Sequence, residues 1–482
     1  MSTGEATGGN TNRDTRRVAI VGGGLAGLSA AWYLSKSGLP VTLFEASSRL
    51  GGRARSFEER HIGCEVDTCQ HIALGCCTQF FEFCRELQIL PYFERHQTLY
   101  FVDTTGQIHR FCPSRWLFPP LHLLPAVAKL RFLRPADRWR LLRGMSRLWR
   151  ASTKDFWSTM GEWLRANGQT AALVEHFWTP ILISALSETL EYIPVVIARK
   201  VLVEGLLSTR DGYQLWTPTR PLSHIFDGEV STRLATAGVA IVKGAVVKGI
   251  RQKDTSWTLC FASGEEQTFD GIVLAVPWRT AIRLLPPQLR ESVFSGWVER
   301  LHPLSDAQDA CAITGIHLWF DRPCLSLPHA ILLGRHSQWV FRPHFGQKVP
   351  VQEAPDGRSA LGVTGDRHAC YYQIVVSASH RMPRLTVDEW LKVAVEDVKA
   401  VFPSAREARL LHGRVVTEPA AVLSPSEEWQ RLRPPQMTPF VGLVLAGDWT
   451  ATGWPGTMES AVRSGRAAAQ AIVQSLRQGR PL

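Results

Sequence analysis

A short apolar run, Val18-Ala19-Ile20-Val21, enters a glycine turn at Gly22-Gly23-Gly24-Leu25-Ala26-Gly27. A second apolar run, Val41-Thr42-Leu43-Phe44, ends on Glu45, eighteen residues past the last of those glycines. Residues of these types at this spacing can bind a dinucleotide. Gly22 permits the tight turn, Gly24 lets the backbone approach a pyrophosphate, and Gly27 lets the next helix pack closely on its strand. A helix beginning near Leu25 and Ala26 turns free N–H groups and the positive end of its dipole toward phosphate. Glu45 stands where a carboxylate can accept hydrogen bonds from ribose hydroxyls. Glycine turns also arise by chance, but here strand, turn, helix and distal acid all fall in the required order.

Two further stretches narrow the cofactor. Directly after Glu45 comes Ala46-Ser47-Ser48-Arg49-Leu50-Gly51-Gly52-Arg53-Ala54, a second glycine pair flanked by arginines. A plain NAD site has no need of it, whereas a guanidinium offers a planar donor fork to phosphate oxygens. The rival reading is a solvated basic loop. About four hundred residues later, Val441-Gly442-Leu443-Val444-Leu445-Ala446-Gly447-Asp448 closes an apolar run on Gly-Asp, and Pro455-Gly456-Thr457-Met458-Glu459 follows. Both stretches resemble the FAD signatures of the flavin amine oxidase and phytoene desaturase superfamily. The resemblance implies FAD contacts from Ala46, Arg49, Gly51, Gly52 and Arg53. It also implies that Asp448, after Gly447, binds the ribityl or pyrophosphate part. Gly456, Thr457 and Met458 would then face the flavin, with a helix N-terminus from about Thr457 aimed at the electron-rich end of the reduced ring.

These motifs need elements to hold them. At 482 residues the chain exceeds one compact core, so two domains are expected. Residues 1–15 are polar, without an apolar leader core, and read as a disordered tail. No run of eighteen uninterrupted apolar residues argues for a spanning helix. The nucleotide-binding domain is expected to be discontinuous, over 16–75, 206–282 and 408–482. A substrate domain would occupy 76–205 and 283–407. The superfamily resemblance implies a Rossmann-type α/β FAD-binding domain of the glutathione-reductase kind with an interleaved α+β substrate domain, and a backbone contact from Val247 to adenine. Alternating residues from Ser256 to Phe261 and the run Phe269 to Val276 read as strands. Thr386 before and Pro403 after bound a helix from Val387 to Val401.

Charge is uneven within a net +11. Between Lys129 and Arg150 lie eight basic residues opposed only by Asp137, with Trp139, Leu142, Met145 and Trp149 at helical spacing. Upstream, Trp116 to Leu124 is apolar and broken by Pro119 and Pro120. The 116–150 segment therefore reads as a membrane-surface element, with a solvated helix packed on its own domain as the rival. No nucleic-acid recognition module is present, so nucleic acid is not expected as a partner. The ten cysteines include no CxxC pair, and no metal site is expected; reduced thiols in a cytoplasmic protein are the simplest reading.

The segment Glu65-Val66-Asp67-Thr68-Cys69-Gln70-His71-Ile72-Ala73-Leu74-Gly75 is similar to the Asp-Asn-Gly-Gln-His stretch of hydroxysqualene dehydroxylases, with Thr68 and Cys69 where that family has Asn and Gly. A glycine serving a positive-φ turn there would leave Cys69 strained. The resemblance implies reductive dehydroxylation of hydroxysqualene to squalene at the inner face of the cytoplasmic membrane, beside the synthases of squalene and hopanoid formation. Gln70 and His71 are candidate flavin contacts. His71 is also a candidate proton donor, with Asp67 orienting it if the segment is helical. The alternatives are a carotenoid desaturase, an amine oxidase, or a flavin-binding scaffold for polyprenyl synthases.

Overall fold

The computed structural model describes residues 16–151, 158–294, 296–297, 309–346, 349–350 and 368–478. The tail expected over residues 1–15 lies outside them. Five parallel strands form the first sheet, in the spatial order Ala240–Lys243, Val41–Glu45, Val18–Val21, Gly271–Leu274, Leu443–Leu445. Val18–Val21 and Gly271–Leu274 are buried throughout, as an interior parallel strand covered on both faces must be.

The helix Leu25–Ser35 packs on this sheet and against the C-terminal helix Met458–Gln478. Their approach is very close: a Cβ on Gly465 would lie 2.2 Å from the Ala26 carbonyl oxygen. Ser29 Oγ also donates to the Val462 carbonyl oxygen at 2.8 Å. Leu28, Ala31, Leu34, Val462, Ala468 and Ile472 join one apolar core. The two ends of the chain are thereby brought to one place.

A larger eight-stranded sheet runs Leu410–Leu423, Ala310–Phe320, His368–Ser377, Trp339–Phe341, His329–Leu332, Leu99–Val102, Ile108–Phe111, with Val349–Pro350 beside His368–Ser377. Its strands serve two cores by period-2 alternation. Ile331, Trp339, Phe341 and Val375 face a helical lobe, while Leu332, Val340, Ile374 and Val376 face the helix Val387–Val401. That helix starts at a capping box between Thr386 and Glu389.

The segments read as nucleotide domain also feed other sheets. Leu410–Leu423 is an outer strand of the large sheet, and Leu215–Pro218 pairs with Ala73–Leu74 and Phe93–His96.

In the basic helix Pro135–Arg150 the buried face is Asp137, Leu141, Gly144, Met145 and Leu148. Trp139 and Trp149 are exposed, so the stripe Trp139, Leu142, Met145, Trp149 expected from sequence is divided. Leu141, Met145 and Leu148 reach the lobe core first, which leaves both tryptophans outside. Among the described residues no helix is long and apolar enough to cross a membrane.

Candidate active site

The glycine turn is built by steric necessity at two of its positions. A Cβ on Gly22 (φ 110°) would lie 2.6 Å from the Ala275 carbonyl oxygen, and one on Gly27 would lie 1.9 Å from that of Gly22. Gly24 differs. A Cβ there would meet nothing nearer than Gly52 Cα at 3.9 Å, so Gly24 borders open space. Gly24 is also the N-cap of the helix that opens at Leu25 and Ala26. No side chain caps that helix and no acid occupies its first turn. An uncapped helix N-terminus bordering a glycine-lined opening is a built anion cradle.

The second glycine pair closes the same cradle. Gly51 N–H donates to the Gly23 carbonyl oxygen at 2.9 Å, and Gly51 bridges Gly24 in parallel register. Glu45 Oε2 accepts from Gly23 N–H at 2.7 Å and Oε1 from Ser47 N–H at 2.8 Å, so this carboxylate ties the turn to the residues after Ala46. Ala245 N–H donates to the Glu45 carbonyl oxygen, two residues before Val247 opens its strand opposite Phe261. Arg49 does not enter the cradle. It is half exposed and pairs with Glu65, Nη1 to Oε1 2.6 Å.

Arg53 reaches the C-terminal motif. Its Nη2 donates to Asp448 Oδ1 and its Nη1 to the Ala421 carbonyl oxygen. Asp448 is buried. A Cβ on Gly456 would lie 3.3 Å from Asp448 Oδ2, and one on Gly447 would lie 2.1 Å from Trp449 Nε1. Thr457 Oγ1 accepts from Ser460 N–H at the start of the Met458–Gln478 helix.

A residue that the motif reading missed organises this loop. Arg433 is buried and donates to the carbonyl oxygens of Asp448, Thr450 and Trp454 and to Ser460 Oγ. Burial pulls its pKa down to about 10, partly countered by the Asp448 charge. Its only local signal is an arginine before Pro434-Pro435, too weak to separate from a surface loop.

The third element is the 67–71 crossing. Cys64–Asp67 is a strand, and Thr68 to His71 are not helical, so Asp67 and His71 do not share a helix face. Asp67 Oδ1 instead accepts from Ser56 Oγ at 2.6 Å and Leu222 N–H at 2.8 Å, and its carbonyl oxygen accepts from Gln373 Nε2 at 3.0 Å. The expectation that Asp67 orients His71 fails for this reason.

Cys69 has negative φ, so the strain expected of a non-glycine there is absent. The close approach falls on Gly315 instead, where a Cβ would lie 2.7 Å from the Thr68 carbonyl oxygen. Gln70 is buried, its Nε2 donating to the His71 carbonyl oxygen at 3.3 Å. His71 Nδ1 lies 2.8 Å from the Cys69 carbonyl oxygen. Burial disfavours its protonated form, and the Arg53 charge adds to the effect. His71 is thus within electrostatic reach of the Arg53–Asp448 pair.

Nearby, Glu188, Cys311 and His380 converge, and Cys311 stands opposite Val422 on the neighbouring strand. The grouping has metal-ligand types, but Arg381 holds both Glu188 oxygens, at 2.9 and 3.0 Å. His380 Nδ1 accepts from Ala312 N–H at 3.1 Å. The cluster is a hydrogen-bonded tie between lobe and sheet.

The family model described as flavin containing amine oxidoreductase matches residues 25–473. Hydroxysqualene dehydroxylase from Zymomonas mobilis is 25% identical over 93% of this chain and 97% of its own. The 15-cis-phytoene desaturase of Synechococcus elongatus is also 25% identical, over 97% of this chain and 99% of its own. An oxidoreductase structure from Methanosarcina mazei superposes with a TM-score of 0.68 at 16% identity, covering 94% of this chain and 100% of that one, which speaks for the fold.

Proposed function

Because the chain belongs to the flavin containing amine oxidoreductase family and is an FAD-dependent oxidoreductase, we propose that it converts hydroxysqualene to squalene. The observation that carries the reading is that Gly24 meets Gly51 and Gly52 beside an uncapped helix N-terminus while the next residue, Arg53, bonds Asp448 of the C-terminal motif. The arrangement suits FAD on chemical grounds. Gly24 leaves room that any side chain would fill, an uncapped helix N-terminus would meet the phosphates, and Arg53 fixes Asp448 beside them with its positive charge. Glu45 and Val247 would hold the adenosine end, and Asp448, Gly456, Thr457 and Met458 the ribityl and flavin end. Reduced FAD held there supplies the hydride that replaces the hydroxyl group.

The chain's own residues do the rest. The polyene would lie against the apolar lobe that holds Leu182, Leu186, Leu202 and Trp339, on the side where Cys69, Ile72 and Leu74 pack beside Gln70 and His71. Burying a long hydrocarbon there keeps water from the reacting carbon and is favoured by roughly 0.8 kcal/mol per CH₂. A neutral His71 with a lone pair on Nε2 accepts from the substrate hydroxyl and orients it. The overall change breaks one C–O bond, adds one hydride and one proton, and releases water.

The 116–150 segment supports peripheral contact with the inner face of the cytoplasmic membrane, where synthases that make the substrate would be neighbours. A phytoene-type desaturase is the second reading, favoured by the Synechococcus relative. Anaerobic reduction of the bound flavin followed by addition of hydroxysqualene separates them. Flavin reoxidation with squalene formed is expected. Reoxidation only by an added electron acceptor, with phytoene consumed, would favour the desaturase. A flavin inert to every polyene would leave a scaffold.

A further inference from the structure

We propose that His344, Glu94, His96 and Thr217 form a proton relay running from the surface to the cavity beside Gln70. The relay rests on the dehydroxylation proposed above, in which the leaving hydroxyl needs one proton per turnover to depart as water.

His71 is not the source of that proton, because its Nδ1–H is spent on the Cys69 carbonyl oxygen and Nε2 only accepts. The sheet beside the crossing gathers groups that can supply it. Three residues after Gln70, the strand Ala73–Leu74 pairs with Leu215–Pro218, whose other edge pairs with Phe93–His96. Glu94 stands directly opposite Thr217 in that register, and His96, two residues on, shares the Glu94 side of its strand. The segment after Trp339–Phe341 adds His344. Gln70, Glu94, His96, Thr217 and His344 line one cavity of about 10 Å³, close to the space a single water molecule needs.

Their contacts form an ordered series. His344 Nε2 lies 2.6 Å from Glu94 Oε2, and that oxygen lies 3.4 Å from His96 Nε2. His96 Nε2 in turn lies 2.8 Å from Thr217 Oγ1. Side-chain exposure falls along the way, from 51% at His344 to 43% at Glu94 and 10% at His96, and Thr217 and Gln70 are buried. The series begins in water and ends on the wall that holds Gln70.

Proton movement along it balances. His344 takes a proton from bulk water and passes it to Glu94. His96 Nε2 gives its own proton to Thr217 Oγ1, Thr217 releases its hydroxyl proton into the cavity, and Glu94 reloads His96. The substrate C–O bond breaks with its electron pair on oxygen, that oxygen takes the released proton, and water leaves. Every relay group ends as it began.

The surroundings of His96 suit this task. Burial lowers its pKa and the His344 charge adds to that, while the Glu94 carboxylate raises it. The His329 ring meets His96 edge-on at 5.1 Å. Burial pulls the His329 pKa down to about 3, so His329 stays neutral and takes no proton from the series. Arg342 is the other charged side chain on the cavity wall.

Single-turnover reoxidation of the anaerobically reduced, flavin-loaded protein by hydroxysqualene, in H₂O and in D₂O, tests the relay. The wild type should react more slowly in D₂O. His96→Gln, whose amide can keep the Thr217 bond, should react about a hundredfold more slowly than the wild type with its flavin retained. His96→Ala should be similarly slow and recover about tenfold with added imidazole, which a structural prop would not do. Glu94→Gln changes a part-exposed side chain and should also slow the reaction. It should lower the His96 pKa as well, followed by NMR of ¹³C-labelled histidine rings, because the carboxylate that raises it is gone. A wild-type rate in His96→Gln, a His96→Ala variant that imidazole leaves slow, or a His96 pKa unmoved by Glu94→Gln overturns the relay and leaves the dehydroxylation standing. A wild type whose reduced flavin is not reoxidised by hydroxysqualene overturns the dehydroxylation, and the relay with it.

Discussion

His71 Nδ1 lies 2.8 Å from the carbonyl oxygen of Cys69, two residues earlier in the chain. A carbonyl oxygen can only accept, so Nδ1 carries the proton and Nε2 presents a lone pair. Burial, aided by the Arg53 charge, lowers the histidine pKa and keeps the ring neutral near pH 7. The geometry thus leaves Nε2 an acceptor, against the proton-donor role suggested by residue type alone.

For His71, the expected outcome is that His71→Asn, whose amide can keep the Cys69 contact, retains FAD and loses less than about tenfold in kcat. A general acid is worth about 10² to 10⁴ in rate, so a loss of that size in His71→Asn would restore the donor role. The pH profile gives a second check. If His71 works neutral, wild-type kcat should hold through the usual histidine range and fall only at more acidic pH, where the buried ring gains a proton, and that limb should vanish in the variant.

Gly24→Val should fold yet stay colourless. A Cβ at Gly24 finds no protein atom within 3.4 Å, so the folded chain tolerates it, and the space it takes is the opening assigned to pyrophosphate. Thermal unfolding of the apoprotein should match that of the wild-type apoprotein, with no visible flavin absorbance. A yellow variant would remove the cleft from consideration.

Arg433→Met should be costly. It strands the carbonyl oxygens of Asp448, Thr450 and Trp454 that the guanidinium now satisfies, at about 3 kcal/mol or more. Denaturant unfolding measures this, and FAD should be lost together with the loop. Stability within about 0.5 kcal/mol of wild type would show that the loop holds its shape without Arg433.

Asp67 carries a pH dependence of defined sign. Burial raises its pKa to about 7, against the lowering effect of its Ser56 and Leu222 hydrogen bonds. A folded-state pKa above the unfolded value near 3.9 means that the native state favours the protonated acid. Its contribution is full below about pH 4 and is lost as pH rises through about 7. Asp67→Asn should therefore leave stability near wild type at about pH 3.5 and raise it by roughly 4 kcal/mol at pH 8. Melts at the two pH values decide it, and a variant destabilised at pH 8 would contradict the assignment.

The parts legible in the sequence are those governed by neighbours in the chain. Val18–Val21 running into Gly22 and the Leu25 helix, and the Thr386-capped helix Val387–Val401, emerge with nearly the expected limits. Hydrophobic period, turn chemistry and capping act over a few residues, and they leave a readable pattern. The positions of Gly24, directly before the helix, and of Glu45, at the end of its strand, follow for the same reason.

Tertiary structure alone decided which groups meet. Arg53 rather than Arg49 bonds Asp448, 395 residues away, because packing of the first and last helices brings the two glycine motifs together. Asp67 turns to Ser56 and Leu222 because its segment is a strand paired with Ser56–Glu59 in a two-stranded sheet, with Ser56 directly opposite, so sequence proximity to His71 gives it no contact. Trp139 and Trp149 face outward because Leu141, Met145 and Leu148 occupy the lobe core. Such pairings depend on which distant surfaces exclude water from each other, and residue type and local spacing carry no record of that choice.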